Sequence, residues 1–330
     1  MTPQNNLLYE SVCHESLDIF YFSIAIGGDI HFTDTFGNTL LHTACEKNNT
    51  NFVPVLIRYG IDINATNQNK DTALHIAIKK RRIEIIKILL KEKGIRLDLE
   101  NKIYETPLYI SIKLKYHKIS FMLLKHTPML ANMRCYDGDK TYLHIAAEYK
   151  NYILCKQLLK MSVDVNALDI YEAPSIHYAI EHGELEIVDL LVQYNASLTI
   201  KDCNDYSSIH WAIESGDVNV VEYVLSHDVN IEAPISDNET PIILSIHCYE
   251  DRKCGIDIIH LLLEKKVNIH HQDDYGNTAL HYAAETNNAD LIELLLEYKA
   301  DKYIRNDSGF PPFEIALLNQ CKRRVLHLLT

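Results

Sequence analysis

An excess of basic residues is the first thing this chain lacks. Thirty-two lysines and arginines face 45 aspartates and glutamates, for a formal net charge of −13. A surface of that sign argues against a nucleic-acid backbone as partner, because phosphate binding needs clustered cations. No apolar run approaches the roughly 18 residues that would span a bilayer, so no membrane association is expected. The opening MTPQNNLLYE has no basic segment leading into an apolar core, so it is not a standard secretory signal. Cysteine is present but without framework spacing. Cys13, Cys45, Cys135, Cys155, Cys203, Cys248, Cys254 and Cys321 are scattered, which predicts free thiols in a reducing, cytoplasmic setting. Nuclear location and delivery into another cell are the alternatives to that setting. The N-x-S/T triplets at Asn48, Asn195 and Asn238 are then expected to go unused. No HExxH, no glycine-rich phosphate loop and no kinase-type text occurs, so nothing points to catalysis or to a cofactor.

What is present is a repeat. The stretch DDYGNTALHYAA, Asp273 to Ala284, reads as a tight turn, a helix start and a small-residue helix face. Gly276 can take a positive φ freely, Thr278 stands at an N-cap position, and Ala283 with Ala284 leaves room for a neighbouring helix. A second, more apolar helix follows at LIELLLE, Leu291 to Glu297. Such a unit cannot bury its apolar face alone.

Copies stand on a regular ruler. With His281 as the mark, equivalent slots fall at His42, His75, Tyr109, His144, His177, His210 and Ile243, with Glu314 beyond. The intervals are 33 or close to it throughout, except for 38 between Ile243 and His281. A period of 33 carrying T-x-L-H-x-A resembles the ankyrin repeat. Thr39-Leu40-Leu41-His42 and Thr278-Ala279-Leu280-His281 carry the resemblance most closely. The exits Asp62-Ile63-Asn64-Ala65 and Asp164-Val165-Asn166-Ala167 recur with it.

The resemblance implies an all-α solenoid of about ten helix–turn–helix repeats with β-hairpin-like turns, as one domain over 1–330. The repeats are expected near 8–33, 34–66, 67–100, 101–135, 136–168, 169–201, 202–234, 235–272 and 273–305, with a partial cap at 306–330. Three places depart from the pattern. Tyr109 replaces histidine, five extra residues lie near Glu250 to Gly255, and Pro54 falls in the first turn of a second helix. Glycine is scarce too. The turn slot holds it only at Gly37, Gly276 and Gly309, with Lys70, Tyr104, Asp139, Glu172, Asp205 and Asn238 elsewhere. Tyrosine and glutamate tolerate positive φ poorly, so strain or a changed turn is expected at Tyr104 and Glu172.

The family implies a structural role for His42, His75, His144, His177, His210 and His281, tying each turn to backbone and to the cap hydroxyl. Equivalent histidines should lie about 10 Å apart, too far to share one zinc. Cys248 and Cys254, near His247 and His260, have a gap outside the usual ligand spacing, and no metal is expected. The family also implies non-catalytic protein binding through a concave face, with the chain as a monomer. The residue after the histidine slot should approach that face, and there Tyr178, Trp211 and Tyr282 place large aromatics. Internal packing between first helices is the competing reading. Tyr171, Tyr206 and Tyr275 at turn tips add contact candidates, and Phe36 precedes them.

Four residues past the slot the series reads Glu46, Lys79, Lys113, Glu148, Glu181, Glu214 and Glu285, with the basic members early and the acidic ones later. A polarised groove of that kind would steer a partner with a basic surface, and solvated helix ends are the plain alternative. Recruitment into a ubiquitin ligase, an ankyrin-bearing enzyme and an inhibitory effector are rival readings. The first two need an added segment or a catalytic domain, and the repeats account for the whole sequence. Asn64 and Asn166 stand in text resembling sites of asparaginyl hydroxylation in this family.

Overall fold

The computed structural model describes residues 2–251 and 253–330. They form two compact units, one ending at Asp164 and one beginning at Val165. In the first unit the helices are α1 (Pro3–Cys13), α2 (Leu17–Ala25), α3 (Leu40–Lys47), α4 (Phe52–Arg58), α5 (Ala73–Lys79), α6 (Ile83–Leu89), α7 (Pro107–Lys113), α8 (His117–His126), α9 (Tyr142–Glu148) and α10 (Tyr152–Leu159). In the second they are α11 (Ser175–Glu181), α12 (Leu185–Gln193), α13 (Ser208–Ser215), α14 (Val218–Leu225), α15 (Pro241–Glu250), α16 (Ile256–Glu264), α17 (Ala279–Glu285), α18 (Ala289–Glu297), α19 (Pro312–Leu318) and α20 (Arg323–Leu329). No strand forms among the described residues. Isolated antiparallel bridges such as Thr33 with Thr39 and Leu168 with Pro174 close the turns, which are hairpin-like in that sense.

Helices this short are marginal in water alone. They persist here because neighbours seal them and most odd-numbered helices carry a side-chain cap at their start. Thr39, Thr72, Thr141, Ser207 and Thr278 each form a capping box with the histidine three residues on. Within each unit, first helices stack on first helices and second on second, as α3 on α5 and α12 on α14. The close approach falls on one small residue per repeat. Ala44, Ala77, Ala146, Ala179, Ala212, Ala283 and Ala316 are all fully buried. Ser111 and Ser245 take that place in two repeats, and their hydroxyls donate to Leu108 O and Ile242 O one turn back. Leucines and isoleucines such as Leu74, Ile85, Ile86 and Leu191 fill the space between layers, each stabilising by about 1.5–3 kcal/mol.

The slot histidines act as rivets. His42 Nδ1 accepts from the Thr39 backbone N–H at 3.2 Å, and its Nε2–H donates to Asp71 O at 2.9 Å. His75, His210 and His281 repeat this, reaching Glu105 O, Ala233 O and Phe310 O. His144 holds Thr141 in the same way, and His177 lies buried behind Pro174. With Nδ1 accepting, the rings are neutral, and burial pushes His75 and His210 down to about 4. Where the slot changes, the rivet changes. At Tyr109 the cap Thr106 instead pairs with Tyr142 OH at 2.8 Å. At Ile243 the cap hydroxyl of Thr240 is buried with no hydrogen-bond partner among the described residues.

The turn does not change at Tyr104 or Glu172. Both keep the hairpin-like turn in the left-handed region, with φ of 63° and 59°, as do Lys70, Asp139, Asp205 and Asn238. Of the two outcomes expected there, the turn is preserved and the strained backbone is accepted, at about 1 kcal/mol each. A side-chain clamp holds the turn in place: Asn101 Oδ1 accepts from Ile103 N–H and Glu105 N–H. Pro54 is the third residue of α4, where its missing N–H breaks no helical bond. After α15, Lys253 and Cys254 lie against the preceding repeat. A Cβ added at Gly216, at the end of α13, would lie 2.0 Å from Lys253 O.

Candidate protein-interaction face

The second unit carries a side-chain arrangement built from its turns. Asp169, Asp202 and Asp273 open three of them and are buried. Each uses one carboxylate oxygen to accept two turn N–H groups: Tyr171 and Ala173, Asn204 and Tyr206, Tyr275 and Asn277. The other oxygen accepts from an aromatic nine residues on. Tyr178 OH donates to Asp169, Trp211 Nε1–H to Asp202 at 2.9 Å, and Tyr282 OH to Asp273. These aromatics are half-buried. Their polar atoms are fixed inside the protein and part of each ring is left to solvent. The recurring Asp-x8-aromatic spacing was visible in the sequence. Its meaning was not, because it depends on the turn bringing the two ends together.

Trp211 stands between two hollows. One, of about 210 Å³, is lined by Tyr171, Ala173, His177, Tyr178, Glu181, Asp202, Asn204 and Trp211. The next, of about 500 Å³, is lined by Asn204, Tyr206, Trp211, Glu214, Ile235, Ser236, Asp237 and Glu239. Tyr206 packs on Trp211 with ring centroids 5.7 Å apart, and burial raises its phenol to about 12. Tyr275 is exposed at its turn tip, while Tyr282 meets His247 edge to face at 4.5 Å. Asp169, Asp202, Asp237 and Glu239 are the members that sequence reasoning missed.

The acidic series divides. Glu148 belongs to the first unit and pairs with Lys140 at 2.8 Å. Glu214 pairs with Lys253 from the inserted loop at 3.0 Å. Glu181 and Glu285 are exposed and have no ion-pair partner among the described residues. On the basic side, Lys79 is held by Asp71 and Lys113 by Glu105, each at 2.7 Å. The helix-end charges are therefore largely neutralised within or between neighbouring repeats, and the open acids of the later series are Glu181 and Glu285.

The remaining candidates have structural surroundings. Cys248 and Cys254 are buried, and desolvation raises both thiols, Cys254 to about 11. His247 pairs with Glu239 at 3.5 Å, and His260 with Glu264 on another helix. Asn64 grips the following exit loop through Gly94 O and Arg96 N–H, and Asn166 does so through Asn195 O and Ser197 N–H. Phe36 is exposed at a turn tip of the first unit.

With this geometry in view, the chain matches the family model for ankyrin repeats over 8–102, 143–235, 227–306 and 244–330, and it belongs to that family. It is 45% identical over 51 residues to an ankyrin repeat protein of Acanthamoeba polyphaga mimivirus, 16% of this chain and 12% of that protein. It is 23% identical over 177 residues to neurogenic locus notch homolog protein 1 of Xenopus tropicalis, 54% of this chain and 6% of that protein. The chain thus spans a small fraction of the length of these relatives. The crystal structure of the ankyrin repeat domain of Bcl-3, of the IkappaB protein family, matches with a TM-score of 0.60 at 21% identity. That match covers 67% of this chain and 98% of the Bcl-3 domain, and it concerns the fold alone. Ankyrin repeats as a class mediate protein–protein interaction.

Proposed function

We propose that the second unit binds a partner protein, without catalysis, on the face where Tyr171, Tyr178, Tyr206 and Trp211 meet Glu181 and Glu214. One observation carries this reading. The aromatic donors are tied to buried aspartates, so their rings stand preorganised beside two open hollows instead of closing over them. Rigid, partly exposed aromatics give contact area at low entropic cost, and Trp and Tyr dominate the energetics of known interfaces. The unpaired Glu181 favours a partner with a basic surface.

Affinity capture with mass spectrometry, comparing wild type with a Tyr206→Ser/Trp211→Phe double variant, tests this. Partners held by wild type should be lost from the variant. Trp211→Phe leaves Asp202 short of one donor, about 1–3 kcal/mol, so the melt should drop by a few degrees and remain cooperative. Equal capture by a folded variant would move the site elsewhere.

A further inference from the structure

The 210 Å³ hollow beside Trp211 has a counterpart in the first unit. Between the repeats 67–100 and 101–135 lies a hollow of the same volume, about 210 Å³, lined by Asn69, Asp71, Lys79, Asn101, Lys102 and Ile103. Measured from the histidine slot, five lining positions are shared, and Ile103 corresponds to Asn204. Asn69 becomes Tyr171, Asp71 becomes Ala173, Lys79 becomes Glu181 and Asn101 becomes Asp202.

The first hollow carries its own cation. Lys79 Nζ donates to both oxygens of the buried Asp71, at 2.7 and 2.8 Å. In the second hollow the lysine is a glutamate and the carboxylate beneath it is an alanine. A second carboxylate, Asp202, has replaced a neutral amide, and neither lysine nor arginine lines the space. Tyr171, Tyr178 and Trp211 supply aromatic walls. Aromatic rings beside carboxylates in a half-enclosed site attract a cation electrostatically, most strongly through tryptophan. The same attraction appears inside the first unit, where Lys113 Nζ lies 5.9 Å from the Tyr149 ring centroid while bonded to Glu105. The volume falls below the roughly 300–1,000 Å³ of drug-sized sites, which fits one long side chain.

We infer that this hollow receives a single arginine or lysine side chain of a partner protein, taking the place that Lys79 fills for itself in the first unit. The inference rests on the interaction face proposed above and names its anchor.

Trp211 is the chain's one tryptophan, so its indole N–H is a single resolved reporter beside Asp202. The isotope-labelled full chain is titrated with three capped tripeptides, Gly-Arg-Gly, Gly-Lys-Gly and Gly-norleucine-Gly. The arginine peptide, the lysine peptide or both should shift the indole resonance saturably, and the norleucine peptide should not. Glu181→Gln, which breaks no ion pair, should weaken that binding about threefold, as should added salt. An equal response to norleucine, or no response to any peptide, overturns the inference. Partner capture that still depends on Tyr206 and Trp211 would then preserve the face and remove only the cation site. Capture indifferent to those residues would remove the face itself.

Discussion

The repeats 67–135 and 169–215 share one backbone plan and treat charge in opposite ways. In the first pair, Asn67 and Asn101 clamp the turns with neutral amides, and acids at Asp71 and Glu105 are met by Lys79 and Lys113 eight residues later. In the second pair, Asp169 and Asp202 do the clamping, and Tyr178 and Trp211 satisfy their spare oxygens. The helix end then carries Glu181 or Glu214 in place of a lysine, with Ala173 or Tyr206 opposite where the first pair has Asp71 or Glu105. Exchanging an amide for a carboxylate at the turn changes what the neighbouring helix must present. Once an aromatic has met that need, the charged position at the helix end is released for another task. A repeat can thereby free its helix-end charge from an internal ion pair, as the proposed slot requires, with the packing layers left alone.

Acid should erase what the two regions have in common, and this is the largest expected effect. The slot histidines are held neutral, with His75 and His210 near 4 against about 6.5 when unfolded. Between those values the unfolded chain binds more protons, so stability rises with pH in that window. It is fully present above about 6.5 and is lost as pH falls toward 4. Each such imidazole contributes a slope of about 1.4 kcal/mol per pH unit there. Denaturant melts at successive pH values check this, and a flat profile from pH 7 to 4.5 would reject the riveting role. His247 works in the opposite sense. Glu239 raises it, so its contribution is present at low pH and fades as pH rises through its folded value.

Gly216→Ala should break the second unit alone. The new methyl would meet Lys253 O and the residue would keep a φ of 69°, so a loss of roughly 2–5 kcal/mol is expected. The same exchange at Gly309, where no atom lies within 4 Å of the added Cβ, should cost only the backbone term, about 1 kcal/mol. Similar losses at the two sites in thermal melts would show that the inserted loop is not seated on α13.

The sharpest form of the comparison transplants one slot into the other. Ala173→Asp with Glu181→Lys would give the second unit the first unit's internal pair. Stability should change by no more than about 1 kcal/mol, since a half-exposed pair contributes little. Affinity for the captured partner should fall at least about tenfold, because the hollow would hold its own cation. Binding unaffected in isothermal titration would place the contact outside this slot.

Sequence alone determined the repeat, its register and the ends of most helices. Caps such as Thr39 and Thr278, the buried alanines and the slot histidines sit at fixed local spacing, and local spacing is what a helical hairpin needs. The departure at Ile243 was legible, but the bare Thr240 hydroxyl it leaves was not. Tertiary structure alone decided which charges are free. Lys253 reaches Glu214 across 39 residues, and Asp202 turns the indole of Trp211 inward. The glutamates at 148, 181 and 214 look alike in the sequence. Only the folded turns show that the first two differ by a lysine standing opposite one and an alanine opposite the other. The physical reason is reach: an ion pair forms within a few ångströms, and which side chains come that close depends on neighbours a whole repeat away.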